Sequence, residues 1–278
     1  MSRLTAEDFS GYQDKGRKIV MLTAYDYPSA LILDKAEVDI VLIGDSVGTN
    51  VLGYSDVSEV SMADMIHHTG AVSRGVERAM VLADMPYRSF ETEKAAVENA
   101  SQLLEAGADA VKIEGESEAT VEIISAVKKA GIDVCGHVGY TPQTQRGAVK
   151  VQGKDLQRAK ELIESVRRLK RAGAFMTVLE LMPKELSGII TESVDILTIG
   201  IGGGALCDGQ VQVIHDITGF SEKVFRHSKV FADSGSVFSE AVKGYRDAVV
   251  SGSFPSDKNS SGLGEEILGS LRESFKNE

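Results

Sequence analysis

Cysteine is scarce in this chain of 278 residues, which holds two, Cys135 and Cys207. One lies in an apolar, strand-like run and the other in a glycine-rich stretch, with no Cys-x-x-Cys pair, so there is no disulfide framework and no thiolate metal cage. Two such thiols suit a reducing compartment. Positive charge is also in deficit. The 30 Lys and Arg face 41 Asp and Glu, a formal charge of -11. That argues against nucleic acid or an anionic membrane as the main partner, but not against an anionic substrate, since a site can invert the local field. No apolar run reaches the roughly 20 residues of a membrane span, and Met1–Thr5 lacks the apolar stretch of a signal peptide. The expectation is a soluble cytoplasmic protein. No Rossmann or Walker glycine pattern is present.

What the chain does have is a repeated unit. Val41-Leu42-Ile43 runs into Gly44 and then Asp45. Val81-Leu82-Ala83 ends in Asp84, and Val111-Lys112-Ile113 ends in Glu114. Val134-Cys135-Gly136 ends in His137, and Thr177-Val178-Leu179 ends in Glu180. Each is a buried strand delivering an ionisable group at its C-terminal end. Five such groups converge if the strands are parallel neighbours, as at the catalytic face of an α/β barrel.

The order of elements fits. Strands are expected at Lys18–Thr23, Asp39–Ile43, Met80–Ala83, Ala110–Ile113, Ile132–Gly136, Ala174–Leu179 and Asp195–Ile199, with the weakest at Val211–Ile214. Helices alternate with them. One enters at Asp26-Tyr27-Pro28 and one at the Ser61/Asp64 capping box. Others cover Lys94–Ala106, Ser117–Ala130, Asp155–Ala172, Pro183–Glu192 and Ser239–Val250, and Gly107, Gly131 and Gly173 follow three of them. A strand, an acid, a helix and a glycine recur at roughly 25–35 residue intervals, the α/β signature. An open doubly wound sheet shares that beat, but acids spread over so much of the chain favour a closed (β/α)8 TIM barrel. About 250 residues is typical for one such barrel, so residues 1–278 are expected to be a single domain. A short N-terminal helix should pack on the outside, and residues 252–278 form a polar tail with a last helical extension. Long loops at Gly44–Tyr54 and Tyr140–Gly153 are placed for substrate contacts.

Asp45 and Asp84 offer hard oxygen donors suited to Mg²⁺ or a similar ion, or each caps the helix that follows. Glu114 is a third ligand or holds a metal-bound water. Lys112 shares a strand face with Glu114, and buried there it is either neutralised by a carboxylate or kept for an anionic ligand. Glu180 is a general acid or base, or an ion-pair partner. His137 stands at a strand end, while His67 and His68 read as structural, His215 as ambiguous and His227 as surface. Gly200–Gly204 is a weak candidate for a phosphate cradle.

These residues sit in a longer pattern. Met21-Leu22-Thr23-Ala24-Tyr25-Asp26-Tyr27-Pro28, Gly44-Asp45-Ser46-Val47-Gly48, Ala83-Asp84-Met85-Pro86-Tyr87, Gly136-His137-Val138-Gly139 with Thr141-Pro142-Gln143, and Cys207-Asp208-Gly209-Gln210-Val211 occur in this order. With them the chain resembles the ketopantoate hydroxymethyltransferase (3-methyl-2-oxobutanoate hydroxymethyltransferase) family from residue 18 to about 255. The resemblance implies a (β/α)8 barrel of pantothenate and coenzyme A biosynthesis. It implies transfer of a hydroxymethyl group from 5,10-methylenetetrahydrofolate to 3-methyl-2-oxobutanoate, giving 2-dehydropantoate through a metal-stabilised enolate. By position, Asp45, Asp84 and Glu114 would serve Mg²⁺. Asp45, Ser46, Asp84, Lys112 and His137 would line the oxo-acid site, and Glu180 would be the acid–base residue. A homo-oligomer, typically a decamer, is implied as well. The alternative is a 2-oxo-acid lyase or mutase of the isocitrate lyase and phosphoenolpyruvate mutase type. Those commonly carry a reactive cysteine motif where this chain has Gly136-His137-Val138-Gly139.

Overall fold

The computed structural model describes residues 2–12, 16–145, 149–221 and 225–276. Residues 146–148 of the loop expected from Tyr140 to Gly153 therefore lie outside the described part. Eight parallel strands close into a barrel in chain order: β1 (Ile19–Thr23), β2 (Ile40–Ile43), β3 (Met80–Asp84), β4 (Ala110–Glu114), β5 (Asp133–Gly139), β6 (Met176–Glu180), β7 (Leu197–Ile201) and β8 (Gly209–Gln212). β8 pairs with β1, Ile19 opposite Gly209 and Leu22 opposite Gln212, and this closes the ring. Between the strands run α1 (Tyr27–Lys35), α2 (Met62–Ser73), α3 (Glu93–Glu105), α4 (Glu118–Lys129), α5 (Leu156–Arg171) and α6 (Lys184–Ser193). After β8 come α7 (Ile214–Thr218), α8 (Ser234–Ser251) and α9 (Glu265–Ser274). The fold is the expected (β/α)8 barrel.

The central strands form as short runs that are apolar on both faces. β2 is Ile-Val-Leu-Ile and all four residues are buried, as in parallel sheets covered on both sides. Ile40 and Leu42 join the lumen with Met80, Leu82, Met176 and Val178, while Val41 and Ile43 pack toward the helices with Val81, Ala83 and Leu103. That is period two at work. The helices start where short polar side chains can take an orphan N–H. Asp26, Thr92, Ser117 and Asp155 each accept from the backbone three residues on, and Ser61 and Asp64 form the reciprocal box. Gly107 follows α3 at φ +107°, where a Cβ would also collide with Ser73.

Along the lumen, polarity is sorted by height. The inward series run Ile19–Met21–Thr23, Met80–Leu82–Asp84 and Met176–Val178–Glu180, so the polar member stands last, at the C-terminal mouth. The other mouth is closed by the N-terminal segment. This corrects the expectation of an outside helix. A 3₁₀ turn at Ala6–Gly11 puts Phe9, fully buried, into the same cluster as Ile19, Met21 and Ile40. Tyr12 follows it inward, and buried Asp39 ties the segment down by accepting from the Val20 N–H at 3.0 Å and pairing with Arg17 at 2.6 Å.

Most strands are shifted by one or two residues from expectation, β6 to Met176–Glu180 and β7 to Leu197–Ile201 among them, and three differences have a visible cause or consequence. β5 extends to Gly139, pairing with β6 as far as Glu180, so His137 is inside the strand. β8 ends at Gln212 because the Ile214 N–H turns to Thr23 Oγ1 at 3.0 Å and starts α7. α8 begins at Ser234, since Asp233 caps it through the Ser236 N–H. No residue of α8 is buried: Phe238 is 63% exposed, Tyr245 62% and Val250 82%.

Replacing Phe9 with Ala removes the lumen's lower seal and should lower the unfolding free energy by about 3–5 kcal/mol, as for other buried Phe→Ala changes. Urea unfolding followed by circular dichroism measures it, and an unchanged midpoint would show that the turn is peripheral to the core.

Candidate active site

The polar ends of the strands meet in a cavity of about 600 Å³ at the C-terminal mouth, with Asp45, Ser46, Asp84, Lys112, Glu114, His137 and Glu180 all on its wall. Register explains the meeting. Asp84 lies opposite Lys112, and Glu114 lies opposite His137. Lys112 Nζ stands 2.8 Å from Asp84 Oδ1. Asp84 Oδ2 accepts the Asp45 backbone N–H at 3.0 Å, so the chain leaving β2 is fastened to the acid ending β3. His137 lies between two carboxylates, its Nδ1 3.1 Å from Glu114 Oε2 and its Nε2 3.1 Å from Glu180 Oε2. Of the ionisable groups here Glu180 is the one turned most to the opening, at 17% side-chain exposure.

Burial decides the charge states. Burial opposes a charge on Lys112, but Asp84, Asp45 and Glu114 outweigh it and hold the ammonium protonated well above its ordinary range. Burial and Lys112 oppose a proton on His137, yet Glu114 and Glu180 prevail and lift it to about 9. Asp45 goes the other way for an acid. Burial first, and Asp84 next, push its carboxyl up to about 7 against the pull of Lys112. With all groups ionised, four carboxylates face two cations, an excess of two negative charges in a site that water reaches from one side.

That excess fits a divalent cation. Among the described residues no three His, Cys, Asp or Glu side chains already form a cage. Mg²⁺ does not need one, because it binds through one or two carboxylates and keeps its other positions for water and substrate oxygens. Asp45 and Asp84 can supply those two. Asp84 Oδ1 is a buried oxygen with no aligned hydrogen bond, and the same holds for Glu114 Oε2 and both His137 nitrogens. Each of these atoms stands within ion-pair distance of an oppositely charged group, so charge compensates it in place of an aligned hydrogen bond.

All the site residues expected from the sequence come together here. Ser46 Oγ lies 2.8 Å from the Tyr25 hydroxyl, and Tyr25, fully buried, has its hydroxyl held far above its ordinary range by burial. His68 is structural as expected, its Nδ1 2.6 Å from the Tyr25 carbonyl. His215 packs 5.6 Å from the Tyr25 ring and lines the cavity. His227 corrects its surface assignment, since it is half-buried on the cavity rim. The Gly200–Gly204 run is no open cradle. A Cβ at Gly203 would press on Ser187 Oγ and the Leu179 carbonyl, and one at Gly204 on Lys184. Two residues that sequence reasoning gave no role are Tyr25 and Gln143. The Gln143 side chain, 1% exposed, donates to Asp45 Oδ2 at 2.9 Å. Only their presence inside matched motifs could have flagged them.

The profile of the ketopantoate hydroxymethyltransferase family matches residues 3–257. The chain belongs to this family. Among curated relatives, 3-methyl-2-oxobutanoate hydroxymethyltransferase of Acetivibrio thermocellus is 49% identical over 97% of this chain and 96% of its own length. That of Dehalococcoides mccartyi is 46% identical over 99% of each chain, and that of Ignicoccus hospitalis 45% over 92% and 98%. Membership makes the chain an enzyme of the hydroxymethyltransferase class. Solved structures similar in fold include phosphonopyruvate hydrolase complexed with oxalate and Mg²⁺, at TM-score 0.63, 15% identity and coverage of 98% and 97%. Another is 2,3-dimethylmalate lyase, at TM-score 0.59, 16% identity and coverage of 98% of each chain. At such identities the likeness is one of fold, so it carries no activity over from the lyase and mutase group.

In this hydroxymethyltransferase site, His137 holds its proton more tightly folded than unfolded, where its value is near 6.5. Its contribution to stability is therefore full below about 6.5 and is lost as pH rises through about 9. Thermal melting from pH 6 to 10 should show wild type losing stability across that window relative to His137→Gln. Parallel curves would mean that His137 holds its proton no more tightly in the folded chain than in the unfolded one.

Proposed function

We propose that this enzyme transfers a hydroxymethyl group to 3-methyl-2-oxobutanoate, with 5,10-methylenetetrahydrofolate as donor, to give 2-dehydropantoate for pantothenate and coenzyme A synthesis. The observation that carries the reading is the convergence of Asp45, Asp84 and Lys112 at the mouth of a barrel of this family. A five-carbon oxo acid needs a cation for its carboxylate and ketone, a base for the C3 proton, and a wall for its methyl groups. The cavity has each, in Lys112, in Glu180, and in Leu42 and Val178.

Asp45 and Asp84 would hold Mg²⁺ or a similar ion, with the Glu114 carboxylate beside them. Bound there, the ion supplies a Lewis acid that polarises the ketone. Ser46 and Lys112 bind the oxo acid, and Lys112 places fixed positive charge where negative charge builds on the ketone oxygen as C3 is deprotonated. Glu180 takes that proton. His137, charged and set between Glu114 and Glu180, holds the Glu180 carboxylate in place. Water opens the donor's methylene bridge, so that both C–N bonds break and tetrahydrofolate leaves; C3 bonds to the freed one-carbon unit, and the oxygen from that water becomes the hydroxyl. The exposed apolar residues of α8 and α9, among them Phe238, Tyr245 and Ile267, support assembly into a homo-oligomer, with a decamer as the expected form.

Purified protein with Mg²⁺, the oxo acid and the folate donor should produce 2-dehydropantoate, and absence of product would end the reading. Asp45→Ala and Asp84→Ala should abolish turnover with the circular dichroism spectrum retained. Glu180→Gln should slow exchange of the C3 hydrogen in D₂O, without folate present, by about 10²–10⁴-fold. Exchange at the wild-type rate would remove Glu180 as the base.

A further inference from the structure

The two candidate ion-holding carboxylates are not free to choose their orientation. Asp84 Oδ2 is taken by the Asp45 N–H. Asp45 Oδ2 is taken by the Gln143 amide at 2.9 Å, and the same amide nitrogen donates to the Met85 carbonyl at 3.0 Å. The Met85 carbonyl has no proton to give, so the atom facing it must be the NH₂ and not the oxygen of the amide. With its two hydrogens spent on two fixed acceptors, the amide cannot rotate away. The backbone N–H of Gln143 donates in turn to Glu114 Oε1 at 2.8 Å. One residue thus fixes the acid after β2 and the acid ending β4. It is itself held by a tight turn, in which Thr144 and Gln145 both donate to the Thr141 carbonyl and Gln145 Nε2 reaches the Gly139 carbonyl. Among the described residues no donor is bonded to Asp45 Oδ1, which is the oxygen left for a ligand.

We propose that Gln143 is a positioning residue that aims the free oxygen of Asp45 at the divalent ion and locks Asp45 and Glu114 in one arrangement. The inference rests on the reading of Asp45 and Asp84 as holders of that ion. Its physical basis is that a carboxylate on a strand end has two soft torsions. A neutral donor on one oxygen removes that freedom while leaving the negative charge for the metal. A cationic partner in the same place would cancel the charge, as Lys112 does in part for Asp84.

The test measures binding of Mn²⁺ alone to the full chain, by the electron paramagnetic resonance signal of the free ion. Gln143→Met keeps length and burial but removes both donors, and should weaken Mn²⁺ binding by about 10–100-fold, the usual cost of losing a partner behind a metal ligand. Leu103→Ala, a fully buried change on α3 outside the cavity wall, controls for loss of packing and should bind Mn²⁺ as wild type does. Asp45→Asn should bind far more weakly than either. Unchanged affinity in Gln143→Met with weakened binding in Asp45→Asn overturns the role of Gln143 and leaves the ion site standing. Equal losses in Gln143→Met and Leu103→Ala overturn it as well, by making the effect one of stability. Wild-type affinity in Asp45→Asn overturns both the ion site and the inference built on it.

Discussion

The ion pair between Lys112 and Asp84 is the interaction on which the rest of the mouth depends. Lys112 sits midway along a barrel strand, 6% exposed, where an isolated ammonium would be prohibitively costly. It is tolerable because Asp84 lies 2.8 Å away and Asp45 and Glu114 lie near. The dependence runs both ways. Remove the cation and three buried carboxylates repel one another with no charge to balance them, and breaking such a pair is typically worse than never having built it. Asp84 then passes the constraint on through its second oxygen to the Asp45 backbone, and Gln143 passes it from Asp45 to Glu114. The catalytic face is one connected polar network, and its order begins with a charge that has nowhere else to go.

Much of this was legible in the sequence, for a local reason. A parallel strand covered on both faces must be a short apolar run, and a helix start must find an acceptor for its first N–H groups. Both leave marks within a few residues, so Val41–Asp45 and the Ser61/Asp64 box declared themselves. The acids at strand ends were legible too, because polar residues at the end of an apolar run need a reason to be there. The Lys112–Glu114 spacing of two put both in the lumen before any partner was known.

What was not legible has no local mark. Gln143 reaches Asp45 across 98 residues of chain, and a glutamine in a loop of Thr, Pro and Gly looks like any solvated loop residue. Tyr25 has its hydroxyl beside Ser46 only because β1 and β2 are neighbours in the ring. The N-terminal seal failed for another reason. A turn of six residues with one inward Phe has no period to detect, so its direction could not be read. β8 was misplaced by two residues because Val213 and Ile214 look like strand, and a single hydroxyl, that of Thr23, takes the Ile214 N–H away from the sheet.

The height-sorted lumen also decides how a substrate is recruited. Below the charged layer the barrel is filled with Met, Leu, Ile and Val and closed by Phe9, so no water stabilises the charges from beneath and the field there opens toward the mouth. The chain as a whole carries a formal charge of -11, which repels an anionic oxo acid at a distance. At physiological salt that repulsion fades beyond roughly 8 Å, whereas Lys112 acts at contact in a poorly hydrated pocket, where its interaction is several times stronger. Capture of the oxo acid is therefore a short-range event. On the proposed reading, an ion held by Asp45 and Asp84 would offset the negative charge of the surrounding carboxylates, which otherwise opposes the carboxylate of the oxo acid.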